Sequence, residues 1–157
     1  NYALACSSGT DALILALMAL NIGPKDAVIT TPFTFFATAE TIAFLGATPV
    51  FVDIDPVTCN LSVRELKKAI QAIKNNDPSL YPLPSNIDPD ALNLKAIIAV
   101  DLFGLPCDYD QITDIARQEN LKIIEDAAQS FGATYKGKPA CSFGDISCTS
   151  FFPAKPL

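Results

Sequence analysis

Histidine is absent from all 157 residues. Its absence removes Ser-His-Asp and Cys-His nucleophile pairs, imidazole acid-base catalysis and His-rich metal sites, so any chemistry must run on Lys, Asp, Glu, Tyr or Cys. The five cysteines (Cys6, Cys59, Cys107, Cys141, Cys148) are odd in number and lack a C-x-x-C pair. That argues against a disulfide framework or zinc ribbon and predicts buried, reduced thiols of a cytoplasmic protein. No run reaches the roughly 18 uninterrupted apolar residues of a membrane span, because Asn21, Gly23, Pro24, Lys25 and Asp26 break the longest candidate. The eleven Lys and Arg are scattered among seventeen acidic residues, for a net charge of -6. A basic stripe able to displace counterions from a phosphate backbone is therefore missing, and no nucleic-acid partner is expected. Internal repeats are absent too, which excludes a solenoid.

What is present is a chain half of whose residues are apolar, enough for one domain with a substantial core. It opens at Asn1 without methionine and halts at Pro156-Leu157 with no turn or cap, and so reads as a piece of a longer protein. Thr10 to Leu20 has helical composition that is apolar nearly all round, predicting a core helix stopped by Gly23-Pro24. Ala27 to Thr30 reads as a strand, Thr34 to Leu45 as a helix ended by Gly46, and Pro49 to Asp53 as a second strand. Ser62 and Glu65 have the spacing of a capping box ahead of the stripe Leu66, Ile70, Ile73. Lys95 to Val100 and Leu121 to Glu125 read as strands around a helix over Tyr109 to Glu119. Short apolar strands separated by helices predict an α/β fold, a mostly parallel sheet covered by helices on both faces. Residues 74–93, with Pro78, Pro82, Pro84 and Pro89, read as an exposed excursion within that domain.

Three segments carry candidate chemistry. Ser7-Ser8-Gly9-Thr10 leads into the first helix, where free backbone N–H groups, the helix dipole and hydroxyls offer an anion site. Simple N-capping by Ser8 or Thr10 is the plainer reading of the same residues. Glu125-Asp126 stands at the carboxyl end of a buried strand, where open α/β sheets bind ligands. A carboxylate there can keep a pyridine nitrogen protonated, or merely cap a helix. Lys155 lies in Ser150-Phe151-Phe152-Pro153-Ala154-Lys155-Pro156. Prolines and an aromatic wall there favour the neutral amine that attacks a carbonyl, although a solvated surface lysine fits those residues as well.

Taken in order, Ser7-Ser8-Gly9-Thr10-Asp11-Ala12-Leu13, Thr31-Pro32-Phe33-Thr34-Phe35, Glu125-Asp126-Ala127-Ala128-Gln129 and Ser150-Phe151-Phe152-Pro153-Ala154-Lys155 resemble the DegT/DnrJ/EryC1/StrS sugar aminotransferases. That family has the fold-type-I architecture and uses pyridoxal 5'-phosphate (PLP). The resemblance covers nearly the whole chain and implies residues 1–157 as the PLP-binding large domain, incomplete, with the C-terminal small domain absent. It implies Lys155 as the Schiff-base lysine and proton carrier, and Asp126 as partner of the pyridine nitrogen. Gln129 would face the ring 3-hydroxyl, Phe35 the ring face, and Ser8, Gly9, Thr10 and Ser150 the phosphate. Thr30 to Thr38 is most similar to enzymes that aminate UDP-linked 3-keto N-acetyl hexuronic acids of surface polysaccharides. The implied reaction is ping-pong, from an amino acid, commonly glutamate, to a nucleotide-linked keto sugar, in a homodimer with shared active sites. Two departures bear on the substrate: the long excursion at 74–93, and Asp101 where many relatives carry histidine. Sugar dehydratases on the same scaffold replace the lysine with histidine, so Lys155 argues against that alternative. A non-catalytic PLP-binding sensor or assembly homologue is the remaining rival.

Overall fold

The structure is a computed structural model that describes residues 2–84 and 92–156. Asn1, Leu157 and the part of the proline-rich excursion that includes Pro89 lie outside the described residues. The elements run α1 (Gly9–Ala19), β1 (Asp26–Thr30), α2 (Ala37–Phe44), β2 (Thr48–Phe51), α3 (Val63–Asn75), β3 (Asn93–Val100), α4 (Tyr109–Glu119), β4 (Lys122–Asp126), β5 (Thr134–Tyr135), β6 (Lys138–Pro139) and β7 (Ile146–Cys148). Five strands form one sheet in the order β2-β1-β3-β4-β7, every pair parallel. The small β5-β6 hairpin is antiparallel.

Alternation along the strands divides the core between the two faces. Ile97 and Ala99 of β3 join a cluster with Leu66, Ile70 and Ile112 of α3 and α4. Ala96, Ile98 and Val100 join Leu13, Leu17 and Ile42 of α1 and α2 on the other side. Fully burying a Leu or Ile contributes about 1.5–3 kcal/mol, and a one-residue slip would turn a whole strand inside out. The hydrophobic pattern thus pins the register, and with all strands parallel the carboxyl ends of β1, β3, β4 and β7 fall on one edge. That edge is where the predicted site residues follow their strands.

Several local expectations need correction. α1 is not buried on most faces: Leu15 and Met18 are exposed, because neither sheet nor α2 covers that side. α2 begins only at Ala37, with Phe36 at its N-cap and no side-chain cap bond. Thr34 and Thr38 share a hydroxyl contact instead. The capping box of α3 is half made. Ser62 Oγ accepts the Glu65 N–H, whereas the Ser62 N–H goes to the Asp53 carbonyl and Glu65 pairs with Arg64 and Lys68. α3 continues through Lys74 and Asn75 into a left-handed Asn76. Tyr81 and Leu83 of the excursion then pack back on the core, and the Tyr81 hydroxyl accepts the Asp53 N–H. Only two of the five thiols, Cys107 and Cys148, are buried; Cys6 is exposed.

Candidate functional site

Asp126 closes β4, aligned with Val100 of β3 and Cys148 of β7, and is buried. Its Oδ2 accepts the Thr38 hydroxyl from α2 at 2.9 Å, and its Oδ1 accepts the Ala128 N–H at 3.3 Å. Burial holds its carboxyl above the ordinary range, opposed by the Thr38 hydroxyl, the Ala128 N–H and the charge of Lys155. Lys155 stands beyond β7, half-buried, with its backbone N–H bonded to the Phe152 carbonyl. Its ammonium lies 5.8 Å from the centroid of the Phe35 ring, a cation–π approach. Phe35 is itself exposed, leaving its other surroundings open. Asp126, Lys155 and Phe35 therefore come from three separate chain segments to one edge of the sheet.

The adjacent carboxylate has another task. Neighbouring residues of a strand point to opposite faces, and the Glu125 carboxylate, fully buried, accepts the N–H groups of Cys141, Phe143 and Gly144 and the Ser147 hydroxyl. It clasps the loop that leads into β7. Gly144 fits there only as glycine, since a Cβ would sit 2.6 Å from the Ile146 carbonyl oxygen and 2.9 Å from the Glu125 nitrogen.

At the start of α1 the two readings of the serine-rich segment coexist. Ser8 is the N-cap, its Oγ accepting the Asp11 N–H at 3.0 Å and also contacting the Asp11 carboxylate. Ser7 donates to the same carboxylate, and the two hydroxyls hold the Asp11 carboxyl below its usual range. The Ser8 hydroxyl is thus spent on capping, while the first helical bond runs from the Ala12 N–H to the Ser8 carbonyl. Gly9 and Thr10 precede that bond, with their N–H groups at the positive end of the helix. A Cβ on Gly9 would stand 2.9 Å from Ser150 Cβ and 3.3 Å from its Oγ, so the helix start and the segment after β7 touch. Ser150 Oγ accepts the Phe152 N–H.

Gln129 lies three residues past Asp126 and its Oε1 accepts the Phe103 N–H at 2.7 Å. Phe103 holds a positive φ of 55°, a conformation that costs a bulky residue and needs outside support. Phe151 and Phe152 are exposed rather than walling in Lys155, with Phe151 edge-on to Phe131 at 5.2 Å. Sequence reasoning missed Thr38, Ser130 and the role of Asp101. Asp101 is fully buried and accepts from the Cys107 N–H, the Tyr109 hydroxyl and the Ser130 hydroxyl. Burial outweighs those bonds and pushes its carboxyl up to about 6. The one signal available was its place after an apolar strand.

Buried thiols offer no competing nucleophile, because burial pushes Cys148 up to about 12 and Cys107 well above its ordinary value. Among the described residues no group of His, Cys, Asp or Glu is placed to hold a metal ion. No helix among them is long and apolar enough to cross a membrane. A depression of about 630 Å³ lies elsewhere, between α4 and the β5-β6 hairpin, and Asp126, Lys155, Phe35 and Gln129 are not among its lining residues. Two of its three cations, Arg117 and Lys136, are already paired with Asp114 and Asp110, and the converging residues, not this hollow, mark the site.

The chain is similar to known proteins in sequence and in fold. A UDP-2-acetamido-2-deoxy-3-oxo-D-glucuronate aminotransferase of Pseudomonas aeruginosa is 51% identical over 156 residues, 99% of this chain and 38% of the relative. The crystal structure of a DegT DnrJ EryC1 StrS aminotransferase from Brucella abortus superposes with a TM-score of 0.87 at 48% identity, covering 97% of this chain and 37% of that one. A sugar aminotransferase of Streptococcus pneumoniae in its PLP form superposes with a TM-score of 0.78 at 32% identity, covering 94% and 36%. The chain thus spans little more than a third of the length of the relatives it matches. The family profile described as the DegT/DnrJ/EryC1/StrS aminotransferase family matches residues 1–157, and the chain belongs to that family.

Proposed function

We propose that this chain is the cofactor-binding part, the large domain, of a PLP-dependent aminotransferase that moves an amino group from an amino acid, glutamate in the first instance, to a nucleotide-linked keto sugar. The observation that carries the reading is the meeting of Lys155, Asp126 and Phe35 at one sheet edge, with an amine, a buried carboxylate and an open aromatic face. The residues present fit pyridoxal phosphate. Asp126 is a buried carboxylate with no cation hydrogen-bonded to it among the described residues, and Gly9 lets the start of α1 lie against Ser150, where a Cβ would stand 2.9 Å from Ser150 Cβ.

When bound, the cofactor supplies an aldehyde carbon that carries the amine and a cationic ring that draws electrons from the neighbouring carbon. Asp126 would hold the proton on the ring nitrogen through a charge-assisted bond. Lys155 Nζ would be the amine that holds the cofactor and the base that moves the proton of the donor's α-carbon. Phe35 would cover one face of the ring, and Gln129, whose Oε1 accepts the Phe103 N–H, would offer its amide nitrogen to the ring hydroxyl. Gly9 and Thr10 at the helix start, which Ser8 caps, would hold the phosphate together with Ser150. The similarity to a UDP-linked keto-uronate aminotransferase supports a nucleotide sugar as acceptor and a place in surface-polysaccharide synthesis. A homodimer with shared active sites, in the cytoplasm, completes the proposal.

The test is covalent trapping in the full-length protein. Borohydride should fix PLP to the wild-type chain at Lys155 and leave Lys155→Ala unlabelled and inactive. Labelling that persists in Lys155→Ala refutes the assignment.

A further inference from the structure

Asp126 sits in the least hospitable place for a negative charge, buried at a strand end between β3 and β7. The groups that face it are few. From β7 comes the neutral Cys148 beside it, and from the β3 side the Asp101 N–H on its carbonyl. Beyond β7, Lys155 acts on it only through space. The Ala128 N–H bonds its Oδ1, and from α2 comes Thr38, itself buried and, among the described residues, the one side chain in hydrogen-bond contact. Thr38 Oγ1 also lies 2.9 Å from Thr34 Oγ1.

A hydroxyl has one proton to give. An ionised Asp126 accepts only, so the Thr38 proton points to Oδ2 and Thr34 must donate to Thr38. The result is a directed row, Thr34 to Thr38 to Asp126, in which each bond polarises the next. Thr41 Oγ1 donates to the Thr38 carbonyl, fixing the helix end that carries it.

We propose that Thr38, backed by Thr34, is a positioning residue that keeps the Asp126 carboxyl ionised and in one orientation despite its burial. The proposal rests on Asp126 being the acid that serves the cofactor ring, and its test separates the two. The full-length protein, carrying carbon-13 in its aspartate carboxyls, is titrated by NMR without cofactor, and the Asp126 signal is assigned by its loss in Asp126→Asn. Thr38→Val should raise the Asp126 midpoint by about one to two pH units, the worth of one bond to a charged group. Thr38→Ser should restore it. An unmoved midpoint in Thr38→Val overturns the proposal. Should that variant fail to fold, Thr34→Val decides: a smaller rise supports the row and no rise overturns it. The visible band of the PLP-loaded protein is followed against pH in parallel. A band indifferent to Asp126→Asn sinks the role of Asp126 toward the ring, while the cofactor-free midpoint still reports the hold of Thr38 upon it.

Discussion

Replacing Asp101 by asparagine should make the protein more stable above pH 6 relative to wild type, and progressively less so in acid. Asp101 is fully buried and has no cation paired with it among the described residues, and burial lifts its carboxyl from 3.8 to about 6 against the pull of three hydrogen bonds. The folded state therefore binds this proton more tightly than the unfolded chain. Stability from the group is fully present below about 4 and is lost as pH rises through 6. The gap corresponds to roughly 3 kcal/mol at about 1.4 kcal/mol per pH unit. Asparagine keeps an oxygen for the Cys107 N–H and the Tyr109 hydroxyl, which both bond Oδ1, and its amide can donate to Ser130, which bonds Oδ2. The substitution thus removes the charge and leaves the packing. Urea unfolding of both proteins from pH 4 to 8 gives the difference, in which the other carboxylates cancel. A difference that stays level across that range refutes the reasoning.

Two further outcomes follow from the same contacts. Glu125→Gln replaces an acceptor-only group with one carrying two donors, so at least one of the N–H groups of Cys141, Phe143 and Gly144 loses its acceptor. Each such buried loss costs about 1–3 kcal/mol, and denaturant unfolding should show it, with faster amide exchange across residues 141–147. Gly9→Ala puts a methyl 2.9 Å from Ser150 Cβ and forces α1 and the segment after β7 apart. PLP affinity of the full-length protein, followed by the cofactor's absorbance, should fall, while Gly23→Ala, where nothing lies within 4 Å, should leave it unchanged.

Much of the frame was legible because periodicity reports burial. The stripe of α3 appears as buried Leu66, Ala69, Ile70 and Ile73, and the apolar runs at 95–100 and 121–125 became adjacent parallel strands. The start of α2 was not legible. Thr34 to Phe36 has the composition of a helix turn, but its threonine side chain bonds Thr38 rather than capping, a local competition that composition does not rank. The exposed side of α1 was misread for a related reason. Apolar residues all round a helix say that every face seeks cover, not that this length of chain supplies it.

The sequence alone excluded imidazole chemistry, since the chain has no histidine, and its four ordered motifs carried the resemblance that implies a role for Lys155. Local periodicity and punctuation also ordered the elements from α1 to β4, whereas the short strands β5, β6 and β7 carry too few residues to show a period and were not read. The residues themselves left open which carboxylate of the Glu125-Asp126 pair serves a ligand, the resemblance pointed to Asp126, and only tertiary structure supplies the physical reason. Two neighbours in a strand point opposite ways, and pairing with β3 and β7 turns Glu125 to the loop at 141–147 and Asp126 to Thr38. The partnership of Asp126 with Thr38, 88 positions away, has no local signature, because it exists only once parallel strands bring their ends to one edge.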